Sequence, residues 1–294
     1  MIMMNLVFLD PPEGRSVASR CRRQFAARLL GWLLTWSIAA APAAESGEPA
    51  ASPDRRETPG SAQESMARGY AFLIRLLDPD LDLLPEYRGS TTFWLFHDNY
   101  LAAHILADVR PELSRRIRGA LRRFGVTQSG KIEILFDEAP RPLPFRAYQL
   151  TDVSAIAGKK IRTELVTTNI LNGWEEYADL LLLASIAQEK SLPGEARRCF
   201  DRAAAMWDGH GFKDRAAQQG GIYATYKLAL YLIAADRLKL APPHRREVLQ
   251  QLLALQASDG GWKTDYNSTG PSGFCNVETT CLALLALKRS ARLP

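Results

Sequence analysis

Cysteine is scarce in this chain: four residues in 294, and Cys21 sits in an N-terminal stretch that reads as a leader. The other three cannot all pair with one another. Cys275 and Cys281 fall at the start of a helical segment and about one and a half turns inside it, a poor geometry for a mutual disulfide. A disulfide-stapled scaffold is therefore excluded, and small core residues are the economical role for these thiols. Excess charge of one sign is missing too. Setting aside residues 1–44 removes five of 37 basic and two of 32 acidic side chains, leaving 32 against 30. That balance offers no electrostatic footprint for nucleic acid, and the cluster Arg115-to-Arg123 reads as the wet face of a helix. A long apolar run is also lacking. The longest, from about Leu29 to Ala41, falls short of the roughly 20 residues that span a bilayer.

What that run does fit is a signal peptide over 1–44: basic residues, an apolar middle, and the small-residue ending Ala41-Pro42-Ala43, with cleavage expected near Ala43 or Ala44. Arg22-Arg23, followed by Gln24-Phe25, resembles a twin-arginine export signal, although Cys21 stands where Ser or Thr is usual. The expectation is an exported protein, periplasmic or extracellular, with no membrane span left after cleavage. Residues 45–62, rich in Pro, Ser, Glu and Ala, read as a disordered tether, and 63–294 as the folded domain.

Within 63–294, apolar residues recur at helical spacing near 64–77, 98–108, 111–124, 173–190, 194–207, 222–237, 243–257 and 276–289. Three times a helix ends in a Gly/Asp/Pro-containing loop with an aromatic or apolar anchor, and an unusually apolar helix follows. "LQASDGGWKTDYNSTGPSGFCNVETTCLALLAL" is one such passage. Helices buried all round alternating with amphipathic ones predict an all-α architecture, helical hairpins arranged as an inner and an outer ring, with the inner N-termini gathered at one mouth. The exception is 131–168, where alternation and β-branched residues predict a small β insertion.

Gln256, Gly260 and Trp262 fit the Gln-x-x-x-Gly-x-Trp repeat of squalene cyclase relatives, and the segment from Gly211 through Tyr223-Ala224-Thr225-Tyr226 is similar to one in protein prenyltransferase β subunits. The chain thus resembles the α/α-toroid superfamily of terpenoid cyclases and prenyltransferases. The resemblance implies a toroid, closed or incomplete, in which Gln256 and Trp262 brace consecutive helices. It does not carry over the chemistry. Ala224 stands where a zinc-ligand histidine is expected, the Asp-x-Cys ligand pair has no counterpart, and the Asp-x-Asp-Asp run that protonates polyprenes is missing; Asp78, Asp80 and Asp82 have the wrong spacing. The expectation is no metal and no cofactor.

The polar groups that a shared mouth would collect are His97, Asp98 and Asn99; Trp174, Glu175 and Glu176; Tyr223 and Tyr226; and Asn276 and Glu278. Carboxylates, amides and aromatic faces suit a carbohydrate-like or other small-molecule ligand, and paired acids among Asp98, Glu175 and Glu278 would suit glycosidic hydrolysis. Each has a plain structural role beside the functional one. Asp98 and Glu278 lie in first helical turns, where a carboxylate contributes about 0.3–1 kcal/mol through the dipole. Asn99 and Asn276 are ordinary caps, the aromatics ordinary packing, and His97 an ordinary buried histidine. Three readings follow: an exported protein that binds, or binds and hydrolyses, an extended carbohydrate-like ligand at a polar, aromatic-lined mouth; a non-catalytic binding or scaffold protein; and a reduced isoprenoid-binding relative of the cyclases.

Overall fold

The computed structural model describes residues 61–125, 131–139, 142–217 and 220–290. The expected leader and the tether up to residue 60 lie outside them. Helix α1 (Ala62–Leu76) opens at Ser61, whose hydroxyl accepts a hydrogen bond from the Glu64 N–H at 3.2 Å and so satisfies a free donor of the first turn.

Two layers of helix follow from two kinds of sequence. The inner helices are α2 (Tyr100–Ile105), α4 (Ala178–Gln188), α6 (Thr225–Arg237) and α8 (Val277–Ser290). Every residue from Ala178 to Ile186, Thr225 to Ala235 and Val277 to Leu287 is buried, as an apolar surface all round requires. Outer helices α3 (Pro111–Arg123), α5 (Pro193–Ala204) and α7 (Arg245–Ala254) bury a single stripe, such as Ser114, Ile117, Ala120 and Leu121 in α3. Their other faces are charged and wet. The inner helices pack in the order α2–α8–α6–α4, with α3 against α2, α1 against α8, α7 against α6 and α5 against α4.

The all-α toroid expected from the sequence is overturned. The fold is mixed, 48% helical and 21% strand, with two three-stranded sheets. Among the described residues no comparable packing joins α2 to α4; the short 3-10 turn Ile132–Phe136 packs against α4 instead. In the first sheet, β1 (Thr92–Trp94) runs parallel to β3 (Lys159–Ile170), and β2 (Arg146–Ile156) pairs antiparallel on the other side. Ala157 and Gly158 both have positive φ, the two-residue turn that suits the strand twist. In the second sheet β4 (Tyr223–Ala224), β5 (Lys263–Asn267) and β6 (Gly270–Cys275) lie side by side.

The physical reason is backbone satisfaction. Long connections that run over the start of a buried helix must pair their N–H and C=O groups, and two connections meeting at neighbouring helix starts do so most cheaply as a ladder. Periodicity within one segment carries no sign of that pairing. Lys131-to-Phe136, whose alternation reads as strand, turns into a 3-10 helix because its bonds close locally, Ile134 N–H to the Lys131 carbonyl and Asp137 N–H to that of Ile134.

Gln256 and Trp262 sit where helices meet. The Gln256 amide donates to the Ser65 carbonyl (2.8 Å) and the Gly260 carbonyl (2.9 Å) and accepts from Arg68 (2.7 Å). The fully buried Trp262 indole donates to the Leu252 carbonyl at 2.8 Å. Gly260 has φ +91°, and a Cβ there would stand 2.4 Å from the Arg68 carbonyl oxygen, so no other residue fits. Together they tie α1, α7 and the β5 approach.

Candidate functional site

The chain enters α2 through a kinked turn, Leu95–Asn99, in which His97 takes φ +52°, ψ −66°. A histidine at positive φ is strained, at a cost of order 1–3 kcal/mol, and its surroundings hold it there. The Asn99 side chain ties the turn, donating to the Leu84 and Trp94 carbonyls (3.0 and 2.7 Å) and accepting from Leu84 N–H (2.7 Å). The result aims the imidazole between two carboxylates. His97 Nε2 lies 2.6 Å from Glu164 Oε1 on β3, and Nδ1 lies 3.1 Å from Glu278 Oε1 in the first turn of α8.

Burial alone would strip the proton from His97. Glu164 first and Glu278 second outweigh it and hold its pKa well above the ordinary value. Glu164 is itself desolvated, yet His97 and Lys131 keep its pKa below normal, so it is ionised. Asp98 goes the other way: burial, then the negative charges of Glu278 and Glu86, push it well above the carboxylate range. Its Oδ2 is buried with no hydrogen-bond partner among the described residues. Glu86, whose main chain receives the Val277 N–H at 3.0 Å, is raised by burial, and Glu278 adds to it. Of the three side chains joined at the imidazole, His97 is the most open: it is 11% exposed, against 6% for Glu278 and 1% for Glu164, while Glu86 is half-buried.

A second buried cluster lies at the starts of α4 and α6. Lys227 Nζ sits 2.5 Å from Asp214 Oδ2 and 3.9 Å from Asp179 Oδ1. The Tyr226 hydroxyl donates to Asp179 at 3.3 Å, and Asp214 accepts from Ala178 N–H at 2.9 Å, capping α4 from a distant loop. Burial, opposed by Lys227, raises Asp179. Lys131 and Tyr148 stand between the clusters. The Lys131 ammonium is 3.6 Å from the Tyr148 ring centroid, and burial pulls its pKa down to about 8 against the pull of Glu164 and Asp179.

Of the acids singled out from the sequence, Asp98 and Glu278 come together around His97, while Glu175 does not. It belongs to the 3-10 turn Trp174–Glu176, and α4 delivers Asp179 to the interior in its place. Glu176 pairs at the surface with Arg215 (3.2 Å), and Trp174 packs edge-on against Phe145 at 5.4 Å. Asn276 caps α8, accepting from Thr279 N–H at 2.9 Å. Tyr223 faces away, its hydroxyl on Asp208 at 2.5 Å and its ring beside Tyr266.

Sequence reading passed over Glu164, Asp179, Asp214 and Lys227. Two of these carried a signal: Asp179 and Lys227 are the lone charges near the starts of the apolar runs of α4 and α6, and a solitary charge there must find a partner. Glu164 and Asp214 gave none, because their partners are set by strand pairing and loop path. Outside the cluster, a stacked pair of rings, Tyr87 and Phe274 (4.5 Å, 9°), lies next to the Tyr87–Asn276 bridge, with Phe274 56% exposed.

Among the described residues, no group of three or more His, Cys, Asp or Glu side chains is arranged to hold a metal ion, and no helix is long and apolar enough to cross a membrane. The chain matches no protein-family model, and no curated protein is significantly similar to it.

Proposed function

We propose that the protein is an exported glycoside hydrolase acting on an extended carbohydrate at the His97 edge of the first cluster. Asp98, held protonated, is the proton donor to the leaving oxygen. Glu278 is the carboxylate that activates water, oriented by His97 Nδ1, and Glu164 locks the far side of the ring. Hydrolysis of a glycosidic bond needs one carboxyl that gives a proton and a second that works as base; burial and the neighbouring negative charges hold Asp98 protonated, and the His97 imidazole orients Glu278. The observation that carries this reading is the buried Asp98 carboxyl, whose Oδ2 has no hydrogen-bond partner among the described residues, beside a histidine strained into contact with two carboxylates. A buried carboxyl oxygen without a hydrogen-bond partner costs about 1–3 kcal/mol, and at Asp98 that cost falls beside a strained backbone. The exposed Tyr87–Phe274 stack supports a sugar ligand, since flat aromatic faces suit ring C–H groups.

The near-complete burial of Glu164 favours a second reading, a non-catalytic binding protein in which the cluster only joins β3 to α8. Reducing-end release from a panel of neutral and acidic oligosaccharides separates the two. The hydrolase reading expects turnover that falls about a hundredfold or more in Asp98→Asn and in Glu278→Gln, with unchanged circular dichroism. Turnover that survives both substitutions, or no release from any member of the panel, overturns it.

A further inference from the structure

A cavity of about 260 Å³ opens beside the aromatic stack, lined by Phe72, Arg75, Leu76, Arg88 and Asp259. Its floor is apolar, from α1, and its rim is charged. The Arg75 guanidinium donates to the Asp259 carbonyl at 2.6 Å, which fixes it over the rim. The Asp259 carboxylate accepts from Gly261 N–H at 3.0 Å. Arg88 follows Tyr87 directly, and Tyr87 is bridged to Asn276 and stacked on Phe274. Phe72, on the floor, also packs toward the end of β6, since a Cβ built on Gly261 would stand 2.8 Å from the Phe72 ring and 2.7 Å from the Cys275 Cβ. The segment that brings Arg88 to the cavity also carries Tyr87, whose bridge to Asn276 and stack on Phe274 lead to the start of α8, where Glu278 stands.

We infer that this cavity is a subsite for a carboxylate-bearing sugar unit, so that the ligand of the neighbouring site is an acidic polysaccharide. The inference rests on the carbohydrate reading above and narrows it. Two arginines against one aspartate leave the rim with a net positive charge. A planar guanidinium fork matches a carboxylate with two parallel hydrogen bonds, while Asp259 is placed to accept from hydroxyls. The volume lies below the roughly 300–1,000 Å³ of sites that enclose a drug-sized ligand, which suits one ring rather than a whole chain. The exposed stack gives the next ring a flat face.

Calorimetry on the full chain tests this with three probes: an oligogalacturonate, a neutral cello-oligosaccharide of the same length, and polyglutamate. The uronate is expected to bind at least tenfold more tightly than either of the others. Arg75→Ala and Arg88→Ala should each cost about tenfold toward the uronate and leave neutral-sugar binding unchanged. Arg88→Lys, which keeps the charge but loses the fork, should recover only part. Melting temperature is read in parallel, and Arg88 carries the test should Arg75→Ala unfold. Equal binding of uronate and neutral sugar, insensitivity to Arg88→Ala, or polyglutamate binding as tightly as the uronate overturns the subsite. The failures are distinguishable: cleavage of neutral glycans without uronate preference removes the subsite alone, and uronate binding without cleavage removes the hydrolase alone.

Discussion

The two buried clusters are built from the same materials and solve their electrostatics in opposite ways. Around Lys227, one ammonium meets Asp214 at 2.5 Å, Asp179 takes a hydroxyl from Tyr226, and Asp214 also caps α4. The backbone of α6 there is regular. Around His97 the backbone is strained, one imidazole serves two glutamates, and Asp98 is pushed toward its protonated form; each cluster holds one aspartate oxygen with no hydrogen-bond partner among the described residues, Oδ2 of Asp98 and Oδ1 of Asp179. Paired and capped charges hold elements together. Backbone strain at a histidine held between two carboxylates does not, and such strain concentrates where a protein acts.

Breaking the first arrangement should give the largest effect. Lys227→Met leaves Asp214 and Asp179 buried without their cation, and removing one partner of a buried pair destabilises by about 3–5 kcal/mol. Urea denaturation should show that loss, with turnover per folded molecule unchanged. A loss near zero would mean that the Lys227 cluster is not the structural one.

The second contrast is in pH. A carboxyl whose folded pKa is raised binds its proton more tightly when folded, so its contribution to stability is full below the unfolded value of about 3.9 and is lost as pH rises through the folded pKa. Asp98 is such a group, and so wild-type stability should decline with pH from the mildly acid range upward. His97, also raised, adds a decline that begins above its unfolded value of about 6.5. Asp98→Asn should flatten the lower part of this profile and hold or raise the melting temperature at neutral pH. A slope unaltered by Asp98→Asn would show that Asp98 is not the protonated group.

The smallest effect is expected outside both clusters. Glu176 pairs with Arg215 at the surface, each side chain more than half or half exposed, and such pairs contribute about 0–1 kcal/mol. Glu176→Gln, like Glu175→Gln, should leave melting temperature and turnover at wild-type levels. A large drop in turnover from Glu175→Gln would move the catalytic assignment away from His97.

Legibility followed the range of the interaction. The starts of α2, α6 and α8 can be read from Asp98, Tyr226 and Glu278, because a polar residue opening an apolar run is a local pattern. That Asp98 and Glu278 would share one cluster follows from gathering those starts together. Glu175 misleads because its 3-10 turn ends just before α4, and a shift of one helical turn replaces an outward glutamate with the inward Asp179.

Helical periodicity, the polar groups at apolar helix starts and the Gln256–Gly260–Trp262 brace are all written within short stretches of chain, where hydrogen bonds and side-chain spacing repeat every few residues. The β2–β3 hairpin is written there too, in the alternation within 131–168, but the addition of β1 to it, the second sheet and the placement of Glu164 against His97 are not. Each depends on Trp94 pairing with Arg162, or Tyr223 with Tyr266, across gaps of 43 to 68 residues. Such a pairing lowers the free energy only after the helices between have packed, so no local pattern records it, and the strained acid–base cluster exists only as a consequence of it.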